Sequence, residues 1–93
     1  MGQTSVNAGT STDYTATEDC FFKVLLCSYG GESAKVSIMS GSTEYEVYRF
    51  RSNSTTAEQV MFTFPVQSGQ KVRVTSTPAI GSYYFVYGMQ KES

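Results

Sequence analysis

The fold class follows from one stretch of the sequence, Cys20-Phe21-Phe22-Lys23-Val24-Leu25-Leu26-Cys27. In an extended chain successive side chains point to opposite faces, and here both faces are apolar except at Lys23. A strand of this kind is typical of the centre of a sheet that is covered on both sides. We therefore expect a central β-strand here, with other parts of the protein packed against both of its faces.

The rest of the chain alternates with a period of two, which indicates strands, and no segment shows a helical pattern of useful length. Turns that contain Gly or Ser separate the alternating segments, as at Ser40-Gly41-Ser42. About seven or eight strands in a chain of this length predict an all-β fold, an antiparallel β-sandwich of jelly-roll-like type. The length suits one domain over residues 1–93, in which residues 1–13 are either an N-terminal linker or an extra strand.

Two of the predicted strands carry apolar side chains on both faces. In Thr43–Arg51, strict alternation puts two apolar residues on one face, Tyr45 and Val47, and a mixed set on the other, Glu44, Glu46, Tyr48 and Phe50. Such mixed polarity is typical of an edge or interface strand. In the last strand, one face carries Tyr83, Phe85, Tyr87 and Met89, and the other carries Tyr84 and Val86.

Charge and hydropathy each exclude one class of partner. The net charge is −1, and charged residues make up only 16% of the chain, without any run of like charge. A basic surface for nucleic acid is therefore not expected. No stretch approaches the ~20 apolar residues of a membrane span, so membrane insertion is not expected either. A surface poor in charge and rich in Ser, Thr and Tyr suits contact with proteins or sugars.

The residue types needed for catalysis are scarce. The chain has no histidine, which removes the commonest general base, nucleophile–histidine pairs and most zinc sites. Glu44 and Glu46 share a strand face about 7 Å apart, a spacing that a glycosidase could use, but a solvated charged face is the better interpretation. We expect no catalytic residues, no metal site and no cofactor.

The two cysteines are expected to be free, buried thiols. In one extended strand Cys20 and Cys27 would lie roughly 23 Å apart and point to opposite faces. A disulfide needs Cα atoms within about 7 Å of each other. Free thiols are compatible with assembly in a reducing cytoplasm.

Two further stretches carry a family resemblance. Tyr14-Thr15-Ala16-Thr17-Glu18-Asp19 leads directly into the apolar strand, and Phe62–Val74 contains Pro65-Val66-Gln67-Ser68-Gly69-Gln70-Lys71-Val72 before the closing strand. Together they resemble the C-terminal head domains of bacteriophage tail fibres and related receptor-binding proteins, in which a "y-T-A-x-x-D-G" lead-in opens the domain and a "P-V-x-x-G-D-x-V" turn precedes the last strand. The chain departs from this pattern at Cys20, where Gly is usual, and at Gln70, where Asp is common.

The resemblance covers residues 14–89 and implies a non-enzymatic adhesion head. Such a head would be a homotrimer on a virion tail or fibre, assembled in the host cytoplasm, and would contact a glycan or protein on a bacterial surface. The apolar side chains in excess of the sandwich core would then pack between subunits, and the candidates for this interface are Tyr45, Val47, Tyr84 and Val86. Outside a virion, the corresponding location would be a cell surface or the extracellular space.

Residues for receptor contact are sought on loops and edge strands. Tyrosine rings can stack on sugar faces, while Arg and Asn side chains donate hydrogen bonds. The candidates are Tyr29, Tyr48, Arg49, Arg51 and Asn53. Two alternatives stay open: a structural or decoration module of the virion, and a small carbohydrate-binding module excised from a larger protein, which would be monomeric with exposed aromatic residues in a row.

Overall fold

The computed structural model describes residues 4–76 and 81–88. Within these ranges the chain forms eight strands and no helix. In chain order they are β1 (Thr4–Val6), β2 (Ser11–Thr15), β3 (Cys20–Ser28), β4 (Ser33–Ser40), β5 (Thr43–Arg51), β6 (Glu58–Val66), β7 (Lys71–Thr75) and β8 (Ser82–Gly88). Met89, which alternation assigned to the last strand, and residues 77–80 of the predicted loop before it lie outside the described residues.

The strands form two antiparallel sheets of four. Sheet A has the order β1-β8-β3-β6, and sheet B has the order β2-β7-β4-β5. The neighbours within the sheets nest: β1 pairs with β8, β2 with β7, β3 with β6 and β4 with β5. The chain is therefore one long hairpin, folded back at Gly41, that wraps so that successive pairs fall in alternate sheets. This is the arrangement of a jelly roll, and the predicted all-β sandwich is confirmed.

The N-terminal segment belongs to the sandwich. Residues Thr4 to Val6 pair with β8, and the Val6 side chain is fully buried. Gly81 lies so close to this strand that a Cβ there would be 2.6 Å from the Val6 carbonyl oxygen. Only glycine allows this approach. Of the residues 1–13 that the sequence left open as a linker or an extra strand, residues 4–6 form strand β1 and residues 11–13 begin β2.

The core lies between the sheets and is centred on β3, which is an inner strand of its sheet as predicted. The other sheet covers only one face of β3, and the second face, expected to be covered as well, is half-buried. The ring of Phe22 contacts the rings of Tyr14, Phe64 and Tyr84, with centroids 4.8 to 5.9 Å apart. Sheet B covers this cluster with small β-branched side chains, among them Val36, Val72 and Val74. Aromatic residues from sheet A thus pack against Tyr14 and the valines of sheet B.

The last strand faces the opposite way from the interface prediction. Tyr84 and Val86 pair with Val24 and Phe22 of β3 and are buried in the core, 6% and 8% exposed. Tyr84 and Val86 are therefore core residues, and their assignment to a subunit interface is wrong. The alternate residues of β8, Tyr83, Phe85 and Tyr87, occupy the outer face of sheet A.

Strand β5 is the exposed edge of sheet B, as its mixed polarity predicted, but its alternation is interrupted. Val36 pairs with Tyr48 and Ser37 pairs with Glu46, which leaves Val47 as the extra residue of a β-bulge. The bulge reverses the phase of the strand. Tyr45 and Tyr48 therefore share the core side, instead of lying on opposite faces as strict alternation predicted.

Replacing Phe22 by Ala should lower the free energy of unfolding by about 3–5 kcal/mol, because the ring is fully buried among three others. Urea unfolding at fixed protein concentration measures the change. Tyr45→Ala is the control: it also removes an aromatic ring, but from a position that is 58% exposed, and should cost far less. Equal losses for the two variants would contradict the placement of the core.

Candidate functional site

The outer face of sheet B is charged, and its three carboxylates are each paired with a cation. Arg73 on β7 forms two hydrogen bonds with the Asp13 carboxylate of β2, at 2.7 and 3.0 Å. On the β4–β5 side, the Lys35 ammonium lies 2.9 Å from Glu44, which also accepts the Ser37 hydroxyl at 2.6 Å. Within β5, Arg49 binds Glu46. The polar groups of this face are bonded to one another or to water, so the face needs no partner.

These ion pairs hold the carboxylates in their charged form. The hydrogen bond from Arg73 lowers the pKa of Asp13, and the Ser37 hydroxyl followed by Lys35 lowers the pKa of Glu44. Arg49 lowers the pKa of Glu46. A glycosidase needs one carboxylic acid whose pKa is raised. Glu44 and Glu46 shift the other way, which agrees with a solvated charged face.

The outer face of sheet A is its opposite in chemistry. The registers of β8, β3 and β6 place nine side chains on this face in a three-by-three grid. One side is the row from β8, the centre is the row from β3, and the other side is the row from β6. The rows are Tyr83, Phe85 and Tyr87; Leu25, Lys23 and Phe21; and Met61, Thr63 and Pro65. Seven of the nine are apolar or aromatic, and we call this set the aromatic face.

The aromatic face is accessible in the single chain. Met61 is 51% exposed and Tyr87 is 39% exposed, while the side chains of the central strand are half-buried among their neighbours. The rings of Phe85 and Tyr87 lie 6.3 Å apart with planes 19° from parallel. Lys23 sits at the centre of the grid, its ammonium 6.0 Å from the centroid of the Phe85 ring. It is the one charged group among the nine.

The sequence did not identify the aromatic face as a surface. The indication was nevertheless present in β3, because Lys23 had to point away from the core and Phe21 and Leu25 share its face. In β8 both alternate sets are apolar, so hydrophobicity alone did not decide which set points outward. The pairing of β8 with β3 decides it.

The predicted ligand residues divide among three places. Arg51 donates through Nε to the Gly31 carbonyl oxygen at 2.8 Å. A Cβ at Gly31 would lie 3.3 Å from Asn53 Oδ1 and 3.6 Å from Arg51 Nη2, so both side chains lie over this turn. Tyr29 belongs to the same turn, whose Glu32 N–H bonds the Tyr29 carbonyl oxygen at 3.2 Å. We call this group, Tyr29, Gly31, Arg51 and Asn53, the loop end.

The other two candidates lie elsewhere. Arg49 is on the outer face of sheet B, in its ion pair with Glu46. Tyr48 points to the core side, where its ring meets Phe62 of the opposite sheet edge-on with centroids 5.1 Å apart. The two residues left from the interface prediction, Tyr45 and Val47, are exposed on β5.

Buried serine hydroxyls hold the loop end in place. The Ser28 hydroxyl, fully buried, donates to the Glu32 carbonyl oxygen and accepts the Ser52 N–H at 2.9 Å. Ser52 in turn donates its hydroxyl to the Glu58 carboxylate. The amides of Gly30 and Gly31 donate to carbonyl oxygens of the facing loop, at 2.8 Å each. The loop end is therefore a fixed surface.

The two segments that carry the family resemblance meet at the other end of the sandwich. The Asp19 carboxylate accepts the Ser68 N–H at 2.9 Å, and the Ala16 carbonyl oxygen accepts the Gly69 N–H at 2.8 Å. Gly69 has φ +90°, a conformation that favours glycine. Gln70 accepts the Gln67 N–H through Oε1 at 2.8 Å.

Both cysteines are free and buried within β3, as expected. Burial raises the pKa of the Cys20 thiol and of the Cys27 thiol, so both stay protonated at neutral pH. Over residues 4–76 and 81–88, no group of three or more His, Cys, Asp or Glu side chains is arranged to hold a metal ion. The same part of the chain contains no helix long and apolar enough to cross a membrane.

Comparison with protein-family models, with curated proteins and with solved structures finds no match to this chain.

The Asp13–Arg73 pair should make stability depend on pH in a defined direction. Because the pKa of Asp13 is lowered in the folded protein, its contribution is complete above the unfolded value near 4 and is lost as the pH falls through the folded value. At pH 7 Asp13→Asn should therefore be less stable than the wild type by up to about 1 kcal/mol, since the pair is partly exposed.

Urea unfolding of both proteins between pH 7 and pH 2 measures this difference. It should vanish at the acid end, and it should also shrink in 1 M salt, which screens exposed charges to about 3 Å. A difference that is constant across the whole pH range would contradict the assignment.

Proposed function

We propose that this domain is a non-enzymatic receptor-binding head of a phage or phage-like tail fibre, which works as a homotrimer and contacts a bacterial surface receptor. The observation that carries the proposal is the aromatic face. The outer face of sheet B is charged, with its carboxylates paired to cations, whereas Lys23 is the one charged residue of the aromatic face. The domain is therefore suited to association through the aromatic face.

The chemistry of the aromatic face favours a protein partner. Exposed apolar patches rimmed by polar residues mark interaction sites, and aromatic residues and Met are enriched where proteins meet. Leu25, Met61 and Pro65 complete the face with aliphatic surface. The grid of three strands about 4.8 Å apart, five residues long in β3, covers roughly 14 by 17 Å. A standard interface of roughly 800 Å² per partner would therefore have the aromatic face at its centre and take in the surface around it.

The geometry of the two resembling segments supports the same family. The lead-in aspartate and the turn glycine, Asp19 and Gly69, belong to one hydrogen-bonded cluster, which gives the paired motifs a shared structural role. At position 70 Gln supplies a side-chain acceptor to the turn, as the Asp common in the family could. The departure at Gln70 is therefore compatible with the pattern.

In this proposal the receptor contacts the loop end. Arg51 donates only its Nε–H to the Gly31 carbonyl oxygen, and Asn53 is exposed beside it. A glycan or a protein loop could accept hydrogen bonds from the Arg51 guanidinium and the Asn53 amide, and could stack on the ring of Tyr29. The virion tail or fibre is the proposed location, with assembly in the host cytoplasm.

A second candidate is a carbohydrate-binding module, and one observation favours it. Tyr83, Phe85 and Tyr87 form an outward-facing aromatic row of the kind that such a module presents, with Tyr87 the most exposed and the Phe85 and Tyr87 ring planes 19° from parallel. In that case the domain would be a monomer, and a soluble polysaccharide would bind to the aromatic face.

The proposal predicts a stable mass near three times 10.2 kDa in light scattering after size exclusion, at every concentration tested. Replacing Met61 and Tyr87 together by Ser should shift the mass toward the monomer, because both side chains are exposed on the aromatic face. Met39→Ser, on strand β4 between Glu44 and Lys71, is the matched control and should leave the mass unchanged. A wild-type monomer at all concentrations would favour the carbohydrate-binding module.

The proposal also predicts that the labelled wild-type protein binds to cells from a panel of bacteria. Arg51→Ala should weaken this binding about tenfold or more, the effect of losing hydrogen bonds to a charged group. Arg49→Ala, two residues away on the same face of β5 but engaged in the ion pair with Glu46, should bind normally. Equal losses for the two arginines would contradict the loop end as the receptor site, and binding to virions without binding to cells would favour a decoration module.

A further inference from the structure

We propose that the aromatic face packs against a different surface of the next copy of this chain, one that brings a carboxylate to Lys23, and not against the same face of a second copy. This inference rests on the homotrimer proposed above. It concerns how the subunits meet, which the size of the assembly alone does not determine.

The first step is the position of Lys23. It lies at the centre of the three-by-three grid, between Phe85 and Thr63 across the strands and between Phe21 and Leu25 along its own strand. Its ammonium is near the Phe85 ring, and it has no ion pair with any of the described residues. Any partner that covers the aromatic face must therefore cover this charge.

Packing the aromatic face against the aromatic face of a second copy would bring two Lys23 side chains together. In a two-fold dimer the contact surface is self-complementary, so residues near its centre meet their own copies. Two ammonium groups would then lose water close to each other, and none of the nine residues of the face could supply a carboxylate. Burying like charges together without a counter-charge is unfavourable.

The third step is where a counter-charge is found. The carboxylates of Asp13, Glu44 and Glu46 are already paired with cations of their own chain. Glu18 and Glu32, by contrast, have no ion pair and no side-chain hydrogen bond within the described part of the chain. Glu32 lies in the turn after β3, which is part of the loop end that the proposed function leaves open to the receptor. Glu18 lies between β2 and β3, at the opposite end of the sandwich, and is the carboxylate that can meet a neighbour.

A contact between the aromatic face and such a loop joins two different surfaces. Contacts of this type generate closed rings when the rotation closes, and a three-fold ring is the smallest one. The unpaired charge of Lys23 and the unpaired carboxylate of Glu18 are thus complementary across neighbours in a trimer, whereas they are not complementary in a face-to-face dimer.

The test compares the self-association of full-length variants by sedimentation and light scattering. Lys23→Glu should raise the dissociation constant of the assembly about 30-fold or more, the lower range for disrupting a buried interfacial charge pair. Lys23→Met keeps the length of the side chain without the charge and should also weaken assembly, because a carboxylate of the neighbour is left unpaired. Lys71→Glu, an exposed reversal on the first residue of β7, is the matched control and should assemble normally.

Charge exchange gives the sharpest result. Assembly lost in Lys23→Glu should return when Glu18→Lys is added to the same chain, whereas Glu32→Lys, on the loop end, should not restore it. Circular dichroism of each variant confirms that the fold is retained.

Three outcomes would overturn the inference. A dimer that Lys23→Met stabilises would indicate face-to-face packing, and a trimer that is indifferent to Lys23→Glu would leave the proposed function standing while removing this contact. If the wild type is a monomer that binds an acidic polysaccharide, and Lys23→Met loses this binding, then both the proposed function and the proposed subunit contact are wrong. The aromatic face would then be a glycan-binding surface.

Discussion

Strand β3 is the element on which the rest of the structure depends, because its two rows of side chains serve two different surfaces. The inner row, centred on Phe22, makes the ring cluster that joins both sheets. The outer row, centred on Lys23, is the spine of the aromatic face. Pairing with β6 on one side and β8 on the other fixes both rows at once. A strand that is apolar on two faces therefore determines the core and the external surface together.

The wrapped hairpin explains why the loops that carry the candidate residues and the family resemblance lie in two groups, one at each end of the sandwich. Each strand ends at one of the two ends of the sandwich, so segments distant in sequence are brought together there. At one end Asp19 and Gly69 join the loops before β3 and before β7. At the other end Ser28 and Ser52 join the loops after β3 and after β5. At both ends, hydrogen bonds of main-chain groups and short side chains are supplemented by longer side chains, Arg51 at one end and Gln70 at the other.

The sequence was sufficient for the fold class and insufficient for the orientation of single strands. Alternation located the strands because burial imposes a period of two on each of them. It misassigned Tyr84 because both rows of β8 are apolar, and only the pairing with β3 distinguishes them. It misassigned the phase of β5 because a bulge at Val47 adds one residue that no periodic pattern reveals. The ligand candidates separated for a simpler reason: Tyr48 and Arg49 are adjacent in one strand and therefore lie on opposite faces.

A sheet that is apolar on both faces raises a question of register. Shifting a strand by one residue exchanges its faces, and hydrophobicity resists this shift only weakly when both rows are apolar. The polar exceptions must then specify the register. Burying the Lys23 ammonium in the core would be far more costly than burying any other residue of the outer row, so it directs the outer row of β3 outward. In β8 the close approach of Gly81 to Val6 fixes the start of the strand. A charge that complicates association thus also ensures that the aromatic face forms on the outside.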